Sequence, residues 1–296
     1  MNSSVLYDAP GPRARRRARI GSVLALLVMA GAVYVVVQRL ADRGQFEWEL
    51  WGPWLDPSFE EFPLVWNLVR EGAVATLVAA VLSIGLSLFF GVLLGVARMR
   101  LGRAARIPLV GFIELFRGLP VVITIVFVWR AFEELDVDLG PLPGGVGLWY
   151  LVIGLTLYNS VIIAEILRAG VASLPSGQGE AARAIGMTES QVMRTVLLPQ
   201  AFRVMLPALI SQLVVILKDT SLAALVGSFY IELLSRGNQI SQNLDNPIQS
   251  LFIVGIMFIL INYALSKLAT WVERRMSRSY TGSDALTTVD DVVPAT

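Results

Sequence analysis

The sequence predicts an all-α integral membrane protein with six transmembrane helices. Three observations predict it. Hydrophobic residues fill 55% of the 296 positions and the mean hydropathy is +0.65, values foreign to a soluble globular chain. Apolar runs of about 18 or more residues recur, each long enough to cross about 30 Å of hydrocarbon. Arginines gather at alternate ends of those runs, as expected when cytoplasmic loops carry the basic excess.

Residues 1–19 are polar, with Arg13, Arg15, Arg16, Arg17 and Arg19 just ahead of an apolar run at 20–38. That run exceeds the ~7–15 apolar residues of a secretory signal peptide and lacks a clear small-residue cleavage site, so a first membrane helix is expected. Residues 41–70 are acidic and aromatic, including Phe46, Trp48, Trp51, Trp54, Phe59, Phe62 and Trp66. Such rings favour the headgroup boundary. An extracellular interfacial segment is the plain reading, and a specific docking surface the sharper one.

The second span, 72–97, is rich in Ala and Gly, which lets helix backbones approach closely in lipid. It ends in Arg98, Arg100, Arg103 and Arg106. The third lies within 107–132, and its start is ambiguous. Glu114 and Arg117, followed by Gly118-Leu119-Pro120, could form an interfacial helix before a crossing that begins near Pro120. The fourth, fifth and sixth spans fall at 148–169, 204–226 and 250–272, and the tail from 273 to 296 turns polar, with disorder expected.

Counting charges tests the orientation. The pieces assigned to the cytoplasm hold Arg13–Arg19, Arg98–Arg106, then Arg168, Arg183, Arg194 and Arg203, and finally Lys267, Arg274, Arg275 and Arg278. Those assigned to the outside hold Arg39, Arg43, Arg70, Arg130 and Arg236. The excess puts both termini in the cytoplasm, together with the polar insert at 180–199.

That insert punctuates like two short helices. Residues 180–185 are good helix formers, Gly186 suits a left-handed stop, and Thr188 with Gln191 can close a capping box. Pro199 is expected to mark a turn back toward the next apolar run. Two compact helices on the water-exposed side of a membrane protein suggest a partner.

Enzymatic chemistry on this chain is not expected. Cysteine and histidine are absent, which removes thiolate metal sites, Cys or His nucleophiles and imidazole relays. The lysines, Lys218 and Lys267, stand outside any phosphate-binding G-x-x-x-x-G-K-[ST] pattern, so ATP hydrolysis has no seat here. Transport needs polar groups at membrane depth, where each charge costs about 2.5–3.5 kcal/mol. Span five offers Lys218-Asp219-Thr220-Ser221, and span four Asn159-Ser160. Lys218 and Asp219 are expected to find partners on other helices, either as packing ion pairs or as pathway lining. Asn159 could read a carboxylate or amine, or hold two helices together. Glu165 with Arg168, and Glu114 with Arg117, are spaced as structural or gating pairs at the inner interface.

The spacing E-A-A-x3-G-x9-[hydrophobic]-x-L-P, met by Glu180, Ala181, Ala182, Gly186, Val196, Leu198 and Pro199, resembles the signature loop of ABC-importer permeases. Val196 stands where isoleucine is usual. Asn159-Ser160 with Ala164-Glu165-Ile166 and Arg168, Phe116-Arg117-Gly118-Leu119-Pro120, and Lys218-Asp219-Thr220-Ser221-Leu222 resemble the polar amino acid permeases for histidine, arginine, glutamine and glutamate. The first helix and aromatic segment, 20–71, lie outside that branch's common core and resemble the glutamate permeases of actinobacteria.

The resemblance implies a type I ABC importer transmembrane domain at 72–272, with a coupling loop at 177–200 that presents Glu180, Ala181, Ala182, Gly186, Leu198 and Pro199 to an ATPase. It implies Asn159, Ser160, Lys218, Asp219 and Thr220 as candidates for the substrate pathway. It also implies two ATPase subunits holding ATP and Mg, a second permease, identical or related, and an extracellular solute-binding protein, with no cofactor, metal or nucleic acid on this chain. A secondary transporter driven by an ion gradient, or a channel, would explain the spans but leaves the insert at 180–199 without a purpose. A non-transporting scaffold would make the intramembrane polar residues packing only.

Overall fold

A computed structural model of the chain describes residues 11–227 and 229–278, with side chains as far as Arg275. The expectations for residues 1–10 and for the tail beyond 278 lie outside the described residues. Every regular element among the described residues is helical.

The first helix, α1 (Pro12–Asp42), starts ahead of the apolar run because Pro12 suits a first helical turn and Arg and Ala propagate it. None of its residues is buried. A short helix, α2 (Trp48–Leu55), then turns back onto the outer end of the molecule. Here the aromatic segment departs from a purely interfacial role. Trp54 is fully buried and its Nε1–H donates to Ser250 Oγ at 3.2 Å, while Trp66 Nε1–H donates to the Trp54 carbonyl at 3.1 Å. Asn246 Nδ2 and Gln249 Nε2 donate to the carbonyls of Leu50 and Gln45, at 3.0 and 2.7 Å. The indole N–H groups are satisfied inside the protein, so the rings pack there.

The long helix α3 (Phe62–Arg100) runs 39 residues, about 58 Å. It begins ten residues before the apolar stretch does, since Phe62–Arg70 finds protein rather than lipid to pack against. Its main neighbour is α6 (Val146–Ala172), the most enclosed of the apolar helices. A Cβ at Gly91 would come within 2.6 Å of Ile163, so this contact requires glycine.

Between them, α4 (Arg103–Gly118) and α5 (Val121–Glu134) meet at a bend of 110°. Leu119, which precedes Pro120, is extended with φ −85° and ψ 144°, as a residue before proline prefers. The helix break falls at Gly118-Leu119-Pro120, where the sequence offered one, and the bent pair is either a broken span or a re-entrant one; α5 by itself, at 14 residues, reaches about 21 Å.

Next come α7 (Ser176–Ala184) and α8 (Glu189–Gln191), a π-helical segment at Val192–Leu197, then α9 (Leu198–Asp219) and a 3-10 turn at Thr220–Leu225. The last two are α10 (Leu233–Asn243) and α11 (Pro247–Arg278), the latter extending past the expected end of span six. Among the described residues, five helices are long and apolar enough to cross a membrane, and the bent pair makes up to six. Three layers of core stack along α3 and α6. The layer at the α2 end holds Trp54, Val65, Leu233 and Val254, the middle one Ile125, Leu151, Leu155 and Ala223, and the layer at the α7 end Ile163, Leu167, Met205 and Leu209.

Candidate functional site

The insert between α6 and α9 is built as a rigid tip. α7 closes with the two bonds of a Schellman stop: Met187 N–H donates to the Ala182 carbonyl at 3.2 Å and Gly186 N–H to the Arg183 carbonyl at 2.9 Å. Gly186 takes φ +87°, a left-handed conformation that glycine adopts without strain. The chain then restarts at once. Thr188 Oγ1 accepts from Gln191 N–H at 3.4 Å and Gln191 Oε1 accepts from Thr188 N–H at 2.8 Å, completing a capping box. Arg183 grips Glu189 through Nε and Nη2, at 2.5 and 3.1 Å, clipping the two sides of the turn together.

Gly179, Ala182 and Val192 form the inward face of this tip, while Glu180, Ala181, Arg183 and Ala184 are exposed. Ile185 is 80% exposed, more than the outward apolar side chains of the membrane-crossing helices. It stands at the apex of the capped, clipped turn. The motif spacing drew attention to the neighbours of Ile185 but not to Ile185 itself; its place beside the expected helix stop was the available signal.

The expected turn at Pro199 does not occur. Glu189–Leu225 is one continuous helical rod, about 55 Å long. The proline is tolerated because the preceding turn is widened: Leu198 N–H donates back five residues to Met193, and Gln200 Nε2 donates to the Val196 carbonyl at 3.0 Å. A π-turn absorbs the missing N–H and the ring clash that would otherwise break the helix. The second short helix is thus the first turn of α9's rod. Leu198 is half-buried and Pro199 exposed, at the point where the tip joins the membrane part.

Just above lies a charge cluster. Glu114–Arg117 and Glu165–Arg168 form as spaced, at 2.6 and 3.1 Å. They are one network, since Arg98 of α3 binds Glu165 directly and Glu114 at 3.6 Å, and Arg117 reaches Glu165 at 3.7 Å. Arg98 and Glu165 are 11% and 13% exposed, so this is the buried centre of the junction between α3, α4 and α6. In the sequence Arg98 stands out only as part of a basic run.

At membrane depth the candidates separate. Asn159 is fully buried; its Nδ2 donates to the Leu155 carbonyl at 2.8 Å and its Oδ1 accepts from Gln212 Nε2 of α9 at 2.7 Å. Ser160 bonds back to Leu157 and Thr220 to Leu217, at 3.1 and 2.7 Å. Lys218 and Asp219 stand about 9 Å farther along α9 than Gln212, Lys218 exposed and Asp219 half-buried. The expected cross-helix partners for these two are not found among the described residues. Lys218, Asp219 and Thr220 therefore share the outer end of the rod, while Asn159 holds α6 to α9.

With this geometry in place, comparison with known proteins is informative. The family model for the inner membrane component of binding-protein-dependent transport systems matches residues 87–278. The glutamate transport system permease protein GluD of Corynebacterium glutamicum is 38% identical over 239 residues, covering 80% of this chain and 83% of its own. The probable glutamine ABC transporter permease protein GlnP of Bacillus subtilis is 32% identical, covering 74% and 97%. Among solved structures, an amino acid ABC transporter crystallised with histidines superposes with a TM-score of 0.64 at 24% identity, over 75% of this chain and all of that one. The MetNI methionine ABC transporter in an inward-facing form gives 0.61 at 20% identity, over 72% and 97%. At those identities the structures speak for the fold.

Proposed function

For a chain that belongs to the family of inner membrane components of binding-protein-dependent transport systems, we propose the role of permease subunit in an ATP-driven importer of polar amino acids, of the glutamate and glutamine class. The observation that carries this reading is the rigid exposed tip around Gly186, which falls inside the matched region and has no use in a free-standing channel. The glutamate and glutamine permeases at 38% and 32% identity support the substrate class.

In this reading the tip faces the cytoplasm and docks in an ATPase subunit that holds ATP and Mg. Ala181 and Ala184 let the α7 surface approach closely, Ile185 enters an apolar pocket, and Glu180 meets a basic group. A push on the tip passes through the Arg183–Glu189 clip into the rod, whose outer end carries Lys218, Asp219 and Thr220. The π-turn at Val192–Leu197 is the place where the rod can flex. The Arg98–Glu165 cluster ties α3, α4 and α6 so that they follow. A second permease, identical or related, completes the pathway, and an extracellular binding protein delivers the amino acid.

Reconstitution tests it. Proteoliposomes holding this chain with its second permease, ATPase and binding protein should accumulate labelled glutamate only with ATP on the ATPase side. Accumulation driven by an ion gradient without ATP would overturn the reading.

A further inference from the structure

A second feature at the inner face is not used by this scheme. Arg98, Arg103, Arg106, Ile107 and Val110 line an open cavity of about 470 Å³ where the end of α3 meets the start of α4. Its charge is unbalanced. In the neighbouring cluster Arg98, Arg117 and Arg168 already outnumber Glu114 and Glu165. The side chains of Arg103 and Arg106 are exposed and make no hydrogen bond or ion pair within the described residues. Arg98 Nε is buried with no acceptor among the described residues. The first turn of α4 has no side-chain cap, so its backbone N–H groups also present positive charge beside the arginines.

The apolar side of the cavity is as informative. Ile107 is 73% exposed although it follows Arg106 directly, and Val110 lies one turn on. Cations over an exposed aliphatic wall, at the end of a membrane-crossing helix, match a molecule with a phosphate at the surface and hydrocarbon below it. A soluble phosphate would use the arginines and leave Ile107 without a partner.

We propose that this cavity is a binding site for the headgroup of an anionic phospholipid of the inner leaflet, with the phosphate held by Arg103, Arg106 and the start of α4 and the acyl stem against Ile107 and Val110. The inference uses the orientation proposed above to name the leaflet. It does not depend on transport, and lipid binding is measured separately from uptake.

The test uses the purified full-length chain in detergent with defined lipid, retained lipid being counted by native mass spectrometry. Phosphatidylglycerol should be retained in preference to phosphatidylcholine. The double variant Arg103→Gln/Arg106→Gln should weaken phosphatidylglycerol binding by about thirtyfold, the effect of two cations near a membrane surface. Arg39→Gln, which removes a charge at the other end of α1, should not. Ile107→Asn should weaken it less than the double variant does. Both arginines are exposed, with side chains unpaired among the described residues, so the variant keeps its fold. Equal retention of the two lipids, or undiminished retention by the double variant, overturns the proposal. Displacement of the lipid by millimolar inorganic phosphate also overturns it, assigning the site to free phosphate.

Discussion

At the outer end of the molecule, Trp54 sits at zero exposure with its N–H on Ser250, Tyr230 Oη donates to the Ala75 carbonyl at 2.9 Å, and Thr76 Oγ1 accepts from Leu233 N–H at 3.1 Å. At the inner end, the helices meet through Arg98, Glu114, Arg117, Glu165 and Arg168, and the tip closes through Arg183 and Glu189. The first set is aromatic burial and neutral hydrogen bonding, each bond contributing about 0.5–1.5 kcal/mol and indifferent to salt, with one ion pair beside it, Arg236–Glu71 at 2.7 Å. The second is ionic, with half-exposed members that ions in solution can screen. Neutral, fully buried contacts hold one arrangement. A ring of charges with an excess of cations can trade partners at small cost, which suits the end that would move in the proposed cycle.

Trp54→Ala should have the largest effect, about 3–5 kcal/mol from the emptied ring volume, with Ser250 losing its donor. Thermal unfolding in detergent and earlier proteolysis within 48–55 would report it. Glu165→Gln should follow, at about 3 kcal/mol, because removing one partner leaves Arg98 buried beside two more cations. Its cost should shrink as salt rises while that of Trp54→Ala holds; a shared salt response would erase the distinction between the ends.

Two smaller effects sharpen it. Gly186→Ala should cost about 1–2 kcal/mol, all of it from the left-handed backbone, since an added Cβ would meet nothing within 4 Å. Its signature is loss of order at the tip by hydrogen exchange, with α3 and α6 unchanged. Asn159→Leu should cost about 0.6–1.7 kcal/mol as a lost bond between α6 and α9. The KM for uptake should stay put; a raised KM with unchanged stability would move Asn159 onto the substrate pathway.

Hydropathy carried the spans, because lipid demands unbroken apolar helix whatever the tertiary contacts. It could not carry their ends. α3 starts at Phe62 because Val65 and Val69 pack on protein, and the rod starts at Glu189 because the Thr188 capping box opens it, and neither requires an apolar run. Pro199 read as a turn because sequence rules treat proline as a breaker, and the π-turn that rescues it has no sequence signature. Gly186 and the Thr188 box were legible since both act within a few residues. The docking of Trp54 on Ser250 spans 196 residues and the Arg98–Glu165 pair spans 67, and local pattern is blind to such distances.

In the proposed cycle the tip around Gly186 receives the force of the ATPase, and co-purification of that ATPase with the full permease carrying Ile185→Asp or Glu180→Lys, beside Trp54→Ala, is the decisive experiment. Both tip variants should insert into the membrane but lose the ATPase, whereas Trp54→Ala, though less stable, should retain it. Undiminished ATPase recovery with both tip variants would contradict that cycle.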